Sequence, residues 1–122
     1  KRPNIKPPVD IPAIHTLEHL LAVYLRSDES GWADKVIYVG PMGCRTGMYL
    51  IFKGDLSSKD VADVITKSFE YVRDFEGIVP ATTSKECGNY LDHNLTIAKW
   101  ESKKFLDEVL YNLKDENLVY PQ

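Results

Sequence analysis

Apolar residues recur at helical spacing in three stretches of the chain. In residues 11–26 they return every three or four positions, and Pro12 is acceptable in the first turn of a helix. A second stretch follows Ser57 and Asp60, which have the spacing of a capping box, and ends near Gly77. A third covers residues 95–113. The pattern therefore predicts three helices, each with one apolar face.

Two other runs are rich in β-branched and aromatic residues and are bounded by glycines. KVIYVG occupies residues 35–40 and GMYLIFKG occupies residues 47–54, and both are typical of strands in one sheet. The segment PMGCRT connects them, and Gly43 and Gly47 are expected to permit the turn that presents Cys44. Residues 1–12 contain four prolines, so an extended arm is expected there.

Composition limits the classes of protein to which the chain could belong. Its 122 residues, 43% hydrophobic and 27% charged, are typical of one globular domain. A net charge of −3 without a concentrated basic stripe argues against nucleic acid as a partner. The apolar runs are shorter than a membrane span needs, and no apolar signal segment opens the sequence. We therefore expect a cytoplasmic protein whose two cysteines, Cys44 and Cys87, form one disulfide or stay reduced for a chemical or metal role.

The stretch IHTLEHLL places two histidines and a glutamate in an otherwise apolar helix. His15 and His19 are four residues apart, so both imidazoles can face one metal ion, and Glu18 projects toward the same edge. The alternative is a pair of partly buried histidines that bond to backbone or water. A metal site would need a third protein ligand, for which the candidates are Cys87, Cys44, Asp92 and His93. For His93 a place in the turn and cap before the last helix is the simpler expectation.

The order H-x-x-E-H also occurs in inverzincin metallopeptidases, where two histidines bind zinc and the glutamate is the general base. A peptidase would take a further carboxylate on the metal, which Glu101 or Glu108 could supply from the last helix. A third hypothesis is a binding module without catalytic activity, in which both cysteines complete a closed four-ligand structural site. An open coordination position with one thiolate ligand would instead indicate a catalytic metal.

Three blocks in order, HTLEHLLA at 15–22, PMGCRTGMY at 41–49 and ECGNYLDH at 86–93, closely resemble the LuxS family of S-ribosylhomocysteine lyases. The resemblance runs from RPN at 2–4 to the start of the last helix. It implies three metal ligands, His15, His19 and Cys87, with Glu18 and Cys44 as the catalytic residues. The implied ion is Fe²⁺, one per subunit, with Zn²⁺ or Co²⁺ as substitutes.

The same resemblance implies a reaction and a fold. S-ribosylhomocysteine would be cleaved to homocysteine and 4,5-dihydroxy-2,3-pentanedione, the precursor of autoinducer-2, by carbonyl migration and β-elimination. The implied fold is an α+β two-layer sandwich, in which helices pack on an antiparallel sheet, and the implied assembly is a homodimer with active sites at the subunit interface. Family chains have a further segment before RPN, so the N-terminal part of the family fold is expected to be absent from this single domain of residues 1–122.

The sequence also departs from the family at three positions. Arg2 stands where the family usually has Gln, and Tyr38 and Gly40 stand where it commonly has Asp and Ser.

Overall fold

The computed structural model describes residues 7–54, 56–79 and 93–114, and within them the chain forms three α-helices. These are α1 (Ile11–Leu25), α2 (Ser58–Asp74) and α3 (Leu95–Glu108), and short 3-10 turns occupy Asp28–Ser30 and Leu110–Asn112. All three predicted helices are therefore confirmed. The third is shorter than predicted, because the backbone leaves the helical region at Val109 (φ −126°, ψ −65°).

Helix α1 begins where local chemistry favours a helix start. The Asp10 side chain accepts a hydrogen bond from the backbone N–H of Ala13 at 3.4 Å, and Pro12 stands in the first turn, where its missing N–H costs no helical bond. Ile11 and Pro12 therefore belong to the helix and not to the extended arm predicted for residues 1–12. Residues 7–10 have no regular secondary structure, and residues 1–6 lie outside the described part.

Helix α2 starts at the capping residues that the sequence indicated. The backbone N–H and the hydroxyl of Ser57 both donate to Asp60 Oδ2, at 2.7 and 3.1 Å. The carboxylate also lies in the first turn, where it interacts favourably with the helix dipole. The helix ends at Asp74, three residues before the glycine at which it was expected to end.

The two predicted strands form an antiparallel pair, β1 (Val36–Pro41) and β2 (Met48–Phe52). Tyr38 pairs with Ile51 and Gly40 pairs with Tyr49, and the register shifts once between Val36 and Tyr38. A residue with a side chain would not fit at position 40, because the Tyr38 ring occupies the position that a Cβ there would take. On the outer face the side chains of Tyr38, Tyr49 and Ile51 are exposed.

Helix α1 lies at the centre of the described structure and packs on α2, α3 and β1. The buried core combines one face of each helix with an inward residue of β1. Its members include Leu17, Leu20, Leu21, Leu25, Val39, Val64, Phe69, Val72, Ala98 and Leu106. Helices and a small antiparallel sheet thus share one core, which confirms the α+β class.

None of the helices in the described ranges combines the length and the apolar character that a membrane crossing requires.

Candidate metal and catalytic site

His15 and His19 lie on successive turns of α1, and their rings meet at one edge of the helix. Their centroids are 4.5 Å apart and the ring planes are nearly perpendicular, at 88°. Both side chains are half-buried, while Leu17 and Leu20 on the opposite side of the helix are buried. The apolar face holds α1 in the core, so the paired imidazoles are fixed at the rim of that core.

A third imidazole joins the pair from the entry to α3. The His93 ring stacks on His15 at 4.0 Å and 23°, and it lies edge-on to His19 at 4.7 Å. One possible ligand atom from each of the three histidines lies within 4.8 Å of the others. The residue that caps α3 is Asn94 and not His93, because Asn94 Oδ1 accepts a hydrogen bond from the N–H of Ile97 at 3.0 Å.

Thr16 connects the first turns of α1 to this third histidine. Its side chain is fully buried, and its hydroxyl lies 3.0 Å from His93 Nδ1, 3.1 Å from the Pro12 carbonyl oxygen and 3.0 Å from the backbone nitrogen of Asn94. Sequence reasoning missed Thr16. The only local signal was a hydroxyl within an apolar helix, directly beside His15.

Cys44 is exposed in the turn between β1 and β2. Its Sγ lies 3.0 Å from the hydroxyl oxygen of Thr46. Hydrogen bonds from the Thr46 side chain, and secondly from its backbone, lower the pKa of the Cys44 thiol below its ordinary value because they stabilise the thiolate. The turn therefore presents a cysteine with enhanced thiolate character, which is the reactive form.

The left-handed position of this turn is occupied by Arg45 and not by either of the glycines that flank it. Gly43 and Gly47 were expected to supply the permissive backbone, but neither has a positive φ, whereas Arg45 has a φ of 59°. Backbone bonds hold that conformation: Arg45 N–H donates to the Met42 carbonyl at 2.9 Å, and the Arg45 carbonyl accepts from Val9 N–H at 2.8 Å. Tertiary hydrogen bonds therefore fix the left-handed residue, whereas Gly47 contributes through its small size, since a Cβ there would lie 3.3 Å from Met42 Sδ.

The other predicted site residues fall in different places. Glu18 is half-buried on α1, between the two histidines in sequence. Glu101 lines a mainly apolar cavity of about 350 Å³, together with Ile14 and Thr46, and is not part of the histidine group. Cys87 and Asp92 lie outside the described residues. The structure thus brings His15, His19 and His93 together and leaves the assignment of Cys87 as a prediction.

Comparison with known proteins identifies the family. The family model described as S-ribosylhomocysteinase (LuxS) matches residues 1–116, nearly the whole chain. The chain belongs to the S-ribosylhomocysteinase (LuxS) family. This membership confirms the resemblance carried by the three sequence blocks.

Curated relatives of this LuxS family member are similar over almost all of its length. An S-ribosylhomocysteine lyase of Phocaeicola vulgatus is 52% identical over 121 residues, which are 99% of this chain and 74% of the relative. The S-ribosylhomocysteine lyase of Clostridium beijerinckii is 48% identical over 98% of this chain and 75% of its own. That of Borreliella burgdorferi is 50% identical over 99% of this chain and 76% of its own.

The donors of the described site suit a divalent transition metal. Imidazole nitrogens bind iron, zinc and cobalt well, and His15 and His19 have the i, i+4 spacing at which two nitrogens can face one ion. A metal site built on His15 and His19 is therefore compatible with the geometry of α1.

Proposed function

We propose that this chain is an S-ribosylhomocysteine lyase, which cleaves S-ribosylhomocysteine to homocysteine and 4,5-dihydroxy-2,3-pentanedione, the precursor of autoinducer-2. The supporting observation is the histidine pair of α1, with Glu18 between its members, in a chain about 50% identical to enzymes of that name. S-ribosylhomocysteine is accordingly the small-molecule substrate.

In this proposal His15, His19 and Cys87 would hold one divalent metal ion. Three protein ligands, and not four, are typical of a catalytic metal site. Fe²⁺ is the proposed native ion, with Zn²⁺ or Co²⁺ as substitutes. When bound, the ion would supply a Lewis acid that stabilises negative charge on the sugar oxygens.

Glu18 and Cys44 move the protons. The carbonyl group of the ribose passes from C1 to C2 and then to C3, so a proton leaves C2 and arrives at C1, and a proton then leaves C3 and arrives at C2. In the last step C4 loses a proton, the C5–S bond breaks and homocysteine leaves with a proton on its sulfur. The enol that remains then loses its C4 hydroxyl proton and gains a proton at C5, which gives the dione. Water is neither consumed nor released. Protons leave one carbon and arrive at the next, and two separately placed acid/base groups can divide these transfers between them.

Cys44 suits one of these roles because it is exposed and its thiolate is stabilised. The hydroxyl of Thr46 at 3.0 Å lowers the pKa of the thiol, which favours the thiolate, the form that can accept a proton and then return it. Glu18 suits the other role because a carboxylate next to His19 would reach a substrate held at the same edge of α1. Neither group needs to bind the metal.

We also infer that the active protein is a homodimer in which sheets of two subunits meet. The outer face of β1 and β2 exposes Tyr38, Tyr49 and Ile51, with exposed fractions of 46%, 51% and 46%. Neighbouring exposed apolar side chains of this kind are typical of an interface. Residues 1–122 would then form one two-layer α+β domain of a cytoplasmic enzyme, with its active site near the partner subunit.

The assignment of the two acid/base groups can be tested with metal-loaded variants in deuterated water. Glu18→Gln and Cys44→Ala should keep the metal and lose homocysteine release by at least about 100-fold, the usual contribution of a positioned acid/base group. A variant that still exchanges substrate protons for deuterium without elimination assigns its residue to the last step. Glu76→Gln, at an exposed position of the described structure, is the matched control and should behave like the unmodified chain. Near-normal turnover by Glu18→Gln or Cys44→Ala removes that residue from the mechanism.

A further inference from the structure

The buried hydroxyl of Thr16 has three polar neighbours but only one proton, so it can donate a hydrogen bond to only one of them. The backbone N–H of Asn94 can only donate to it, at 3.0 Å. The Pro12 carbonyl can only accept from it, at 3.1 Å. His93 Nδ1, at 3.0 Å, is the one neighbour that can act in either role.

The position of the His93 ring follows from these bonds. If the Thr16 hydroxyl donates to Pro12, His93 carries its proton on Nδ1 and donates to the hydroxyl. If the hydroxyl donates to His93 instead, the Pro12 carbonyl still accepts from the backbone N–H of Asn94, at 3.2 Å. In either tautomer the buried Thr16 hydroxyl bonds to His93 Nδ1, so Thr16 holds the His93 ring in one orientation.

The ring geometry indicates what the His93 side chain does there. Imidazoles that share a metal point one nitrogen each at the ion from about 2.0–2.1 Å, so their planes radiate away from it. His93 instead lies face to face with His15, with centroids 4.0 Å apart and only 23° between the planes. It also meets the His19 ring edge-on, at 71°. His93 thus packs against both proposed ligand rings in the manner of a support.

We propose that Thr16 and His93 form a positioning pair for the metal site: Thr16 fixes the His93 ring, and that ring fixes the planes of His15 and His19. The pair also connects α1 to the entry of α3, six residues after Cys87 in the sequence. This proposal rests on the proposed function only in assigning the metal to His15 and His19. Residues that orient metal ligands typically change metal affinity by about 10- to 100-fold when they are removed.

The test measures Co²⁺ affinity by competition with a chelator and records the visible absorption bands of the bound ion. Thr16→Val, which keeps the shape but removes the hydroxyl, should weaken Co²⁺ binding by about 10- to 100-fold. Thr16→Ser keeps the hydroxyl, so its Co²⁺ affinity should lie within about threefold of that of the unmodified chain, a much smaller loss than the one expected for Thr16→Val. His93→Gln should also weaken binding, with the band positions unchanged because the ligand set is the same.

Two results overturn the positioning pair. One is unchanged Co²⁺ affinity in His93→Gln, or in a folded Thr16→Val. The other is a shift of the absorption bands in His93→Gln, which would make His93 a ligand. If circular dichroism shows that Thr16→Val does not fold, the Co²⁺ affinities of Thr16→Ser and His93→Gln are compared instead. Co²⁺ binding without lyase activity would contradict the proposed function alone, whereas an unmodified chain that binds no Co²⁺ would contradict both proposals.

Discussion

Val9 and Arg45 are joined by a reciprocal pair of hydrogen bonds across 36 positions of sequence. Val9 N–H donates to the Arg45 carbonyl at 2.8 Å, and Arg45 Nη1 donates to the Val9 carbonyl at 3.3 Å. Val9 stands immediately before the residue that caps α1, the helix of His15 and His19. The turn that presents Cys44 is therefore attached to the beginning of the helix that carries His15 and His19, the proposed metal ligands.

Arg45 adopts a left-handed backbone conformation, so its glycine and alanine variants should differ in stability. Both lose the guanidinium contact to Val9, but glycine also removes the steric cost of a positive φ, about 1–2 kcal/mol for a residue with a Cβ. Part of that gain is offset because glycine has more conformational freedom than alanine in the unfolded chain. In urea denaturation we expect the free energy of unfolding of Arg45→Gly to be about 0.5–1 kcal/mol higher than that of Arg45→Ala. An alanine variant as stable as the glycine variant would show that the turn relaxes to another conformation.

The pH dependence of Cys44 reactivity should depend on Thr46. The thiolate is the reactive form, and the Thr46 hydroxyl lowers the pKa of the Cys44 thiol, so removing the hydroxyl must raise that pKa. In Thr46→Val the rate of alkylation by iodoacetamide should therefore reach its midpoint at higher pH than in the unmodified chain. The rate is followed at Cys44 by peptide mass mapping, and Thr46→Ser should keep the original midpoint. Superimposable profiles for the valine variant and the unmodified chain would exclude this role of Thr46.

Metal content should separate the proposed ligands from the proposed acid/base residue beside them. His19→Gln and Cys87→Ala each remove one protein ligand, so both variants should lose most of the bound metal after dialysis. Glu18→Gln changes the residue next to His19 without removing a ligand, and it should retain about one ion per subunit, the stoichiometry of a single mononuclear site. Elemental analysis measures all three. Full retention of metal by Cys87→Ala would exclude that cysteine as a ligand.

A lysine on the outer face of the sheet should dissociate the proposed dimer. Ile51 pairs with Tyr38 across the strands and is 46% exposed, so Ile51→Lys places a charge at the proposed interface with little effect on the core. Sedimentation at micromolar concentration should show a dimer for the unmodified chain and a monomer for the variant. Ile78→Lys, at a position 88% exposed and outside the sheet, is the control and should remain dimeric. A dimeric Ile51→Lys variant would place the interface elsewhere.

The sequence predicted those parts of the structure that short-range patterns determine. Apolar spacing gave the position of α1, the Ser57 and Asp60 pair gave the start of α2, and glycine-bounded β-branched runs gave both strands. The histidine pair followed from helical geometry alone. In each case the residues that determine the feature lie within a few positions of one another.

Features that depend on distant partners could not be predicted in this way. Thr16 bonds to residues 77 and 78 positions away, so nothing near it marked it as the link between two helices. The left-handed Arg45 is held by Val9, whereas the local pattern pointed to the neighbouring glycines. The proposed role of Cys87 came only from the resemblance of its sequence block to the LuxS family, because a ligand on a separate segment leaves no periodic signal.

Homocysteine release from S-ribosylhomocysteine measures the proposed lyase activity itself. The chain is loaded with Fe²⁺ under anaerobic conditions, or with Co²⁺, and the new thiol is titrated over time with a chromogenic disulfide. We expect one homocysteine per substrate consumed, at a rate that falls to background after the metal is removed by chelation and recovers when it is restored. A folded, metal-loaded dimer that leaves S-ribosylhomocysteine intact and exchanges none of its carbon-bound protons with solvent would contradict the proposed lyase activity.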